Sequence, residues 1–272
     1  MSMPRITIIM PSLNQARYLE EAIRSILDQN YPGLEFMILD GGSTDGSREI
    51  IEKYAASLTY WQSQPDGGQS DAIIQGFCRA SGDLWGWVNS DDVLLPGALG
   101  AIARAFWERP RGGLFGGNYL LMDKNGRIIR ARRHPANAGW FARHGLFLFN
   151  PPGSFYRPAD YRAVGGLRVD LHYAMDTDLY IRMAAAGTQY VHVDRYLSAF
   201  RHHETQKTSK YLNDTMSETV QIHGEWPSPL RHFARQRRWY YLYRLWQVAN
   251  CNYFRVLLDT VKLRGQPWKA IK

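Results

Sequence analysis

LWGWVNSDD, residues 84–92, is apolar and aromatic for five residues and then turns into an amide, a hydroxyl and two carboxylates. The apolar part has the length and character of a buried strand. Its end is the informative part. Adjacent carboxylates repel one another and lose hydration when covered, so they are stable either well solvated or opposite a cation. One use is a surface turn with a helix cap, because Asp92 stands shortly before Pro96, a residue suited to a first helical turn. The other is a divalent-metal site. The residues of this stretch leave both open.

Outward from this strand the chain alternates. Residues 5–10 are β-branched and apolar and stop at Pro11; residues 16–29 carry Leu19, Ala22, Ile23, Ile26 and Leu27 at helical spacing. Strands are expected at 35–39 and 58–61, and helices at 47–54, 71–79 and 98–107. Lys124-Asn125-Gly126 between two apolar runs signals a hairpin. Such alternation predicts a mainly parallel sheet with helices on its faces. In open parallel sheets ligands bind beyond the carboxyl ends of the strands. Those ends are Pro11–Gln15, then DGGSTDG at 40–46, then QPDGGQSD at 64–71, then NSDD at 89–92. Each loop alone has a use in turn geometry or helix capping. Their coincidence on one edge points to a ligand cleft.

Composition sets the frame. At 272 residues, 45% hydrophobic and 21% charged, the chain is large enough for one sizeable α/β domain with an appendage. A net charge of +8 implies attraction to something anionic, such as a nucleotide, a nucleic acid or a membrane surface. Cys78 and Cys251 are far apart and form no metal-ligand spacing, which fits a reducing cytoplasm. The start, MSMPRITIIMPS, carries no basic leader, and no apolar run reaches the roughly 18 residues of a bilayer span. A cytoplasmic protein is expected.

The run TIIMPSLNQARYLEEAIRSILDQNYPGLEFMILDGGSTDGSREII, with SQPDGGQSDAIIQGF and WVNSDD after it, resembles the family 2 glycosyltransferases. The resemblance covers roughly the first 200 residues and implies an α/β GT-A fold with a nucleotide-sugar donor, a divalent cation (Mg²⁺ or Mn²⁺) and transfer with inversion. It places Pro11 and Asn14 along the nucleotide, Asp40 against the base, and Asp66 and Asp71 in the nucleoside pocket. Many relatives have a second Asp where this chain has Gly41, and their metal motif begins with Asp where this chain has Asn89. Metal binding is therefore expected mainly at Asp91, with Asp92 as a helper or as a group behind the ligands, and Asn89 and Ser90 beside the donor. Oxygen ligands suit Mg²⁺ or Mn²⁺.

Farther along, VGGLRVD at 164–170 and YAMDTDLYIR at 173–182 resemble the family's catalytic segment, with Met175 where Glu is usual. The resemblance makes Asp176 the general base. Asp178 is read as an orienting group, since both carboxylates also suit the start of a helix. FRHHETQKT, residues 200–208, reads by itself as an exposed basic loop, but it resembles a pattern of the family, which makes His203 and Lys207 candidates for the diphosphate or metal; residues 150–154 are candidates for the acceptor pocket. From residue 231 onward Arg residues interleave with aromatics, and Trp239, Leu242, Trp246, Ala249, Tyr253 and Val256 follow one helical stripe. That stripe is expected to pack on its own domain, the alternative being peripheral contact with an anionic membrane at the inner face of the cell.

The expectations are a GT-A domain over residues 1–210, with a donor and metal half at 1–95 and an acceptor and base half at 96–210. A helical, basic and aromatic segment follows at 211–272. The reading is a hexosyltransferase that moves a sugar from a UDP-linked donor to a glycan or lipid-linked glycan in surface polysaccharide assembly, without nucleic acid. A nucleotidyltransferase-like enzyme and an inactive nucleotide-sugar-binding protein are the alternatives.

Overall fold

In the computed structural model, which describes residues 3–143, 151–204, 206, 212–225, 237–249 and 251–271, a nine-stranded sheet is flanked by helices. The first half runs β1 (Ile6–Ser12), α1 (Ala16–Leu27), β2 (Leu34–Asp40), α2 (Ser47–Tyr54), β3 (Tyr60–Ser63), α3 (Gln69–Phe77) and β4 (Leu84–Trp87). β1 pairs in parallel with β2 and β4, and β2 with β3. Parallel neighbours need crossover helices on the sheet faces, so both faces are buried. The side chains follow this rule. Ile6, Ile8 and Met10 pack with Leu19, Ala22, Ile23 and Ile26 of α1, while Ile9 joins Ile73 and Phe77 of α3 on the other face.

The same alternation explains the aromatic half of residues 84–92. Trp85 and Trp87 enter the α3 core, and Leu84 and Val88 enter the α1 core. Gly86 between the tryptophans is required by close approach, since a Cβ there would lie 2.7 Å from the Phe155 ring.

The second half comprises β5 (Val93–Leu94), α4 (Ala98–Glu108), β6 (Leu114–Met122), β7 (Ile128–Arg132), α5 (Ala138–Arg143), β8 (Ser154–Tyr156), α6 (Pro158–Ala163), α7 (Met175–Ala185) and β9 (Tyr190–Arg201). The sheet order is β3-β2-β1-β4-β8-β6-β9-β5, with β7 on β6. β8 joins the halves by pairing antiparallel with both β4 and β6. The β6–β7 hairpin forms at Lys124-Asn125-Gly126, where Gly126 takes φ 77.

Among the described residues that follow, helices run over Leu212–Glu225, Arg237–Ala249 and Asn252–Leu263. The stripe from Trp239 to Val256 is not one helix. Cys251 adopts a left-handed φ of 56 and a new helix begins at Asn252. Past this break the two helices turn different faces inward. Trp246 packs on Phe141 at 5.7 Å between ring centroids, whereas Tyr253 lies under the Arg244 guanidinium at 5.3 Å. The chain end returns to the domain through Trp268, whose Nε1 donates to Glu21 Oε1 at 2.8 Å. Cys78 and Cys251 are free thiols. Among the described residues no helix is long and apolar enough to cross a membrane.

Candidate active site

Parallel pairing of β1, β2, β3 and β4 brings the loops after them to one rim. The register sets Ser12, Asp40 and Ser63 side by side at the sheet end. Asp40 is fully buried. Its Oδ2 accepts from Ser43 N at 2.9 Å, Ser63 Oγ at 2.7 Å and Gly42 N at 3.2 Å, and its Oδ1 accepts from Ser43 Oγ at 2.5 Å. This carboxylate shapes the loop after β2. Asn14, at φ 52, clips the two loops together: its Oδ1 accepts from Thr44 N at 3.0 Å and its N donates to Ser43 Oγ at 2.7 Å. Pro11 is buried in β1 opposite Leu39 and stiffens the rim without offering a donor.

Asp66 is only half-buried, and its Oδ1 accepts from Gly68 N at 2.8 Å. Burial holds its carboxyl above the ordinary range despite the Gly68 N–H, and the charges of Asp71 and Asp40 act in the same direction as burial. Gly41 makes the space for it. A Cβ at position 41 would lie 3.1 Å from Asp66 Oδ2. The glycine that replaces the usual second Asp thus has a physical reason: a carboxylate reaches that spot from position 66. Asp71 is tied to the same loop, accepting from Gly67 N at 2.9 Å and Gln75 Nε2 at 2.8 Å.

The four residues after β4 divide sharply. Asn89 accepts from Gln69 Nε2 at 2.8 Å and donates to Asp92 Oδ2 at 3.1 Å, two tasks that an Asp could not perform together. Ser90 is buried. Asp92 is 1% exposed and its Oδ1 accepts from Arg201 N at 2.9 Å. Burial, reinforced by the Asp91 charge, pushes its carboxyl well above the ordinary range. Asp92 therefore faces inward and anchors the end of β9, behind Asp91. Asp91 instead meets His203, with Oδ2 3.0 Å from Nε2, and the His203 ring lies 4.9 Å from that of Tyr18.

Asp91 and His203 are the pair that could hold a cation. The described residues gather no group of three or more His, Cys, Asp or Glu in metal-binding positions. A divalent ion here would complete its shell with phosphate and water oxygens, a coordination habit of Mg²⁺. Lys207 lies outside the described residues, as does Asn150; Ser154 of the expected acceptor stretch opens β8.

The first turn of α3 links this rim to α7. Gln69 reaches Asn89, while Ser70 Oγ lies 2.9 Å from Leu171 O and 2.7 Å from Met175 Sδ. Met175, standing where relatives have Glu, is thus a packing contact for α3. Asp176 follows, half-buried in the first turn of α7, with Oδ1 accepting from Thr177 N at 2.7 Å. Burial pushes its carboxyl up to about 6, although the Thr177 hydrogen bonds oppose the shift. Asp178 is buried against Arg182 at 2.5 Å, and Arg182 also donates to Gly166 O at 2.7 Å. That is an orienting role, joining α7 to the glycine turn before it.

Several residues escaped the sequence reading. Glu218, from the helix Leu212–Glu225, accepts from His172 N, Tyr173 N and Ala174 N at 2.7–2.9 Å, just before Asp176. Arg201 is 1% exposed; its Nε donates to Asp91 O at 2.8 Å and its Nη2 pairs with Glu21 at 2.5 Å. Arg201 lay within the basic stretch 200–208, yet only its place at the buried end of β9 separates it from exposed neighbours such as His202.

Comparisons with known proteins agree with this architecture. An uncharacterised glycosyltransferase of Mycobacterium tuberculosis is 38% identical over 92 residues, 34% of this chain and 35% of the relative. A GalNAc(5)-diNAcBac-PP-undecaprenol beta-1,3-glucosyltransferase of Campylobacter jejuni is 31% identical over 109 residues, 37% of this chain and 34% of the relative. The matched region thus spans about a third of the length of these curated relatives. Among solved structures, S. aureus TarS 1-349 in complex with UDP-GlcNAc superposes with a TM-score of 0.64 at 18% identity, covering 84% of this chain and 69% of that fragment. The mannosyltransferase PcManGT of Pyrobaculum calidifontis, in complex with GDP-Man and Mn2+, gives 0.62 at 18% identity, covering 99% and 78%. These two likenesses establish the GT-A fold. The family model for glycosyl transferase family 2 matches residues 7–165, more than half of the chain. With its motifs on the rim of that fold, this chain belongs to glycosyltransferase family 2.

Proposed function

We propose that the chain transfers a sugar, with inversion, from a UDP-linked donor to a glycan or lipid-linked glycan acceptor with the help of Mg²⁺ or Mn²⁺. The observation that carries this reading is the Asp91–His203 pair at 3.0 Å beside a rim of nucleoside-type acceptors. Asp66 and Asp71 would meet the base and ribose, with Asn14 and Asp40 holding the loops that frame them. Asp91 and His203 would hold the cation, which neutralises charge developing on the departing diphosphate. Asp176 would take the acceptor hydroxyl proton as the oxygen attacks the anomeric carbon. A carboxyl pushed up to about 6 suits this task, because a general base works best with a pKa near the working pH. That shift also favours transfer over mere donor binding. The UDP assignment draws on TarS, solved with UDP-GlcNAc, and PcManGT, solved with GDP-Man, makes a guanine nucleotide the competing choice.

The test is calorimetric titration of UDP and GDP, with and without Mn²⁺, into the parent and into Asp91→Asn and His203→Asn. The expected result is UDP binding strengthened by Mn²⁺, with that strengthening lost in both variants, a change of about tenfold or more, on the order of 1.4 kcal/mol. Unaltered Mn²⁺ dependence in either variant removes that residue from the cation site. Preference for GDP would replace the donor assignment.

A further inference from the structure

The helix Asn252–Leu263 is apolar on the side it turns to solvent and mixed on the side it turns to the domain. Toward the domain Leu263 packs on the core beside several polar groups. Thr260 Oγ1 accepts from Ala131 N at 3.1 Å, Asp259 Oδ2 takes Arg133 Nη1 at 3.0 Å and Tyr196 OH at 2.5 Å, and Asn252 is buried. Toward solvent it presents Phe254, Leu257, Leu258 and Val261, which are 55%, 51%, 69% and 71% exposed. Their i, i+3, i+4, i+7 spacing forms one apolar stripe, the pattern a helix ordinarily buries. Leu245 and Val248 of the preceding helix are also exposed. Contiguous apolar surface of this kind marks a contact site.

Charge selects the occupant. Arg255 and Lys262, seven residues apart, line one flank of the stripe, and Arg244 and Arg264 stand on the adjoining segments; all four are exposed. Asp259 is the only acid between residues 243 and 271, and Arg133 engages it. A twofold contact with a second copy would bring these cations against their own images. A helix of 12 residues is too short to span a bilayer. We propose that this face lies on an anionic phospholipid bilayer, with the stripe at the acyl boundary and Arg255 and Lys262 among the headgroups. The inference is independent of which donor or acceptor the enzyme uses.

The experiment is flotation of the full chain with phosphatidylcholine vesicles and with vesicles that also contain phosphatidylglycerol, at low and high salt. Two paired variants are compared with the parent, Leu257→Gln with Leu258→Gln, and Arg255→Gln with Lys262→Gln. Binding is expected on the anionic vesicles, weakened about tenfold or more by the leucine pair. The basic pair and high salt should each weaken it by about tenfold. Because all four side chains are exposed, the melting temperatures should stay near the parent's, which keeps a loss of binding interpretable. Absence of binding to anionic vesicles, or binding that neither variant alters, overturns the proposal. So does a parent dimer in light scattering that the leucine pair dissolves, which would assign the face to a second copy.

Discussion

Asp176 is under two opposed demands. In the proposed role of base it must be ionised near neutral pH, yet the burial that lifts it from 3.8 to about 6 penalises the ionised form. A folded pKa above the unfolded value contributes stability below the unfolded pKa and loses it as pH rises through the folded one. At about pH 7.5 the ionised carboxylate therefore costs on the order of 1–3 kcal/mol. Asp176→Asn should bind UDP like the parent, transfer sugar roughly 10²–10⁴-fold more slowly, and resist urea better near neutral pH. Full activity in that variant would move the base elsewhere. Gly41 sets a second requirement at this scale, because the Asp66 carboxylate occupies the place of its missing side chain. Gly41→Ala should keep the fold and weaken UDP binding by about tenfold as Asp66 is pushed aside, a cost of the size seen when well-packed sites are overfilled. Calorimetry showing parental affinity would take Asp66 out of the nucleoside pocket.

Helices and loops carry the site as much as side chains do. The turn before α7 is held by Glu218, whose carboxylate accepts from three consecutive backbone N–H groups and so fixes the direction in which α7 starts. Hydrogen bonds to a charged group are worth about 1.5–3 kcal/mol each, and they are not additive. Glu218→Ala should destabilise the protein by about 2–4 kcal/mol. It should lower kcat with little change in UDP affinity, because it disturbs Asp176 and not the donor rim. An equal loss of UDP affinity would show that the turn serves both halves of the site. Elements with a strong period were readable in the sequence. β1 and α1 are patterned at their own spacings, although β1 runs through Pro11 to Ser12 instead of stopping there, and the β6–β7 turn announced itself through Asn125-Gly126. β8 has three residues and β9 shifts register against β6, so neither offered a clean alternation. The C-terminal break was hidden because Cys251, not glycine, takes the left-handed turn. In the site, Asp91 and Asp92 looked alike in sequence. Only Arg201, 109 residues away from Asp92, decides which of them turns inward.

The stability of the whole molecule against acid combines groups from separate parts of the chain. His134, 7% exposed, has its ring pushed down to about 3 by burial, with the nearby His192 adding to the effect. A depressed folded pKa means that the unfolded chain takes up the proton first. The contribution of His134 is therefore complete above 6.5 and lost as pH falls from there toward 3, at up to about 1.4 kcal/mol per pH unit. Asp176 acts in the reverse sense between about 6 and 3.8, where the folded chain takes up the proton first. Over that window the two contributions oppose each other in the parent. Substituting either one should expose the other. In urea titrations from about pH 7.5 to about 4, the stability of His134→Gln relative to the parent should rise as the solution is acidified, and that of Asp176→Asn should fall. Each slope should approach one proton, about 1.4 kcal/mol per pH unit, inside its own window. Two variants whose offsets from the parent stay constant with pH would show that neither group titrates in the folded protein as its burial requires. The double variant discriminates further: if the two groups titrate independently, its offset should equal the sum of the single offsets at every pH.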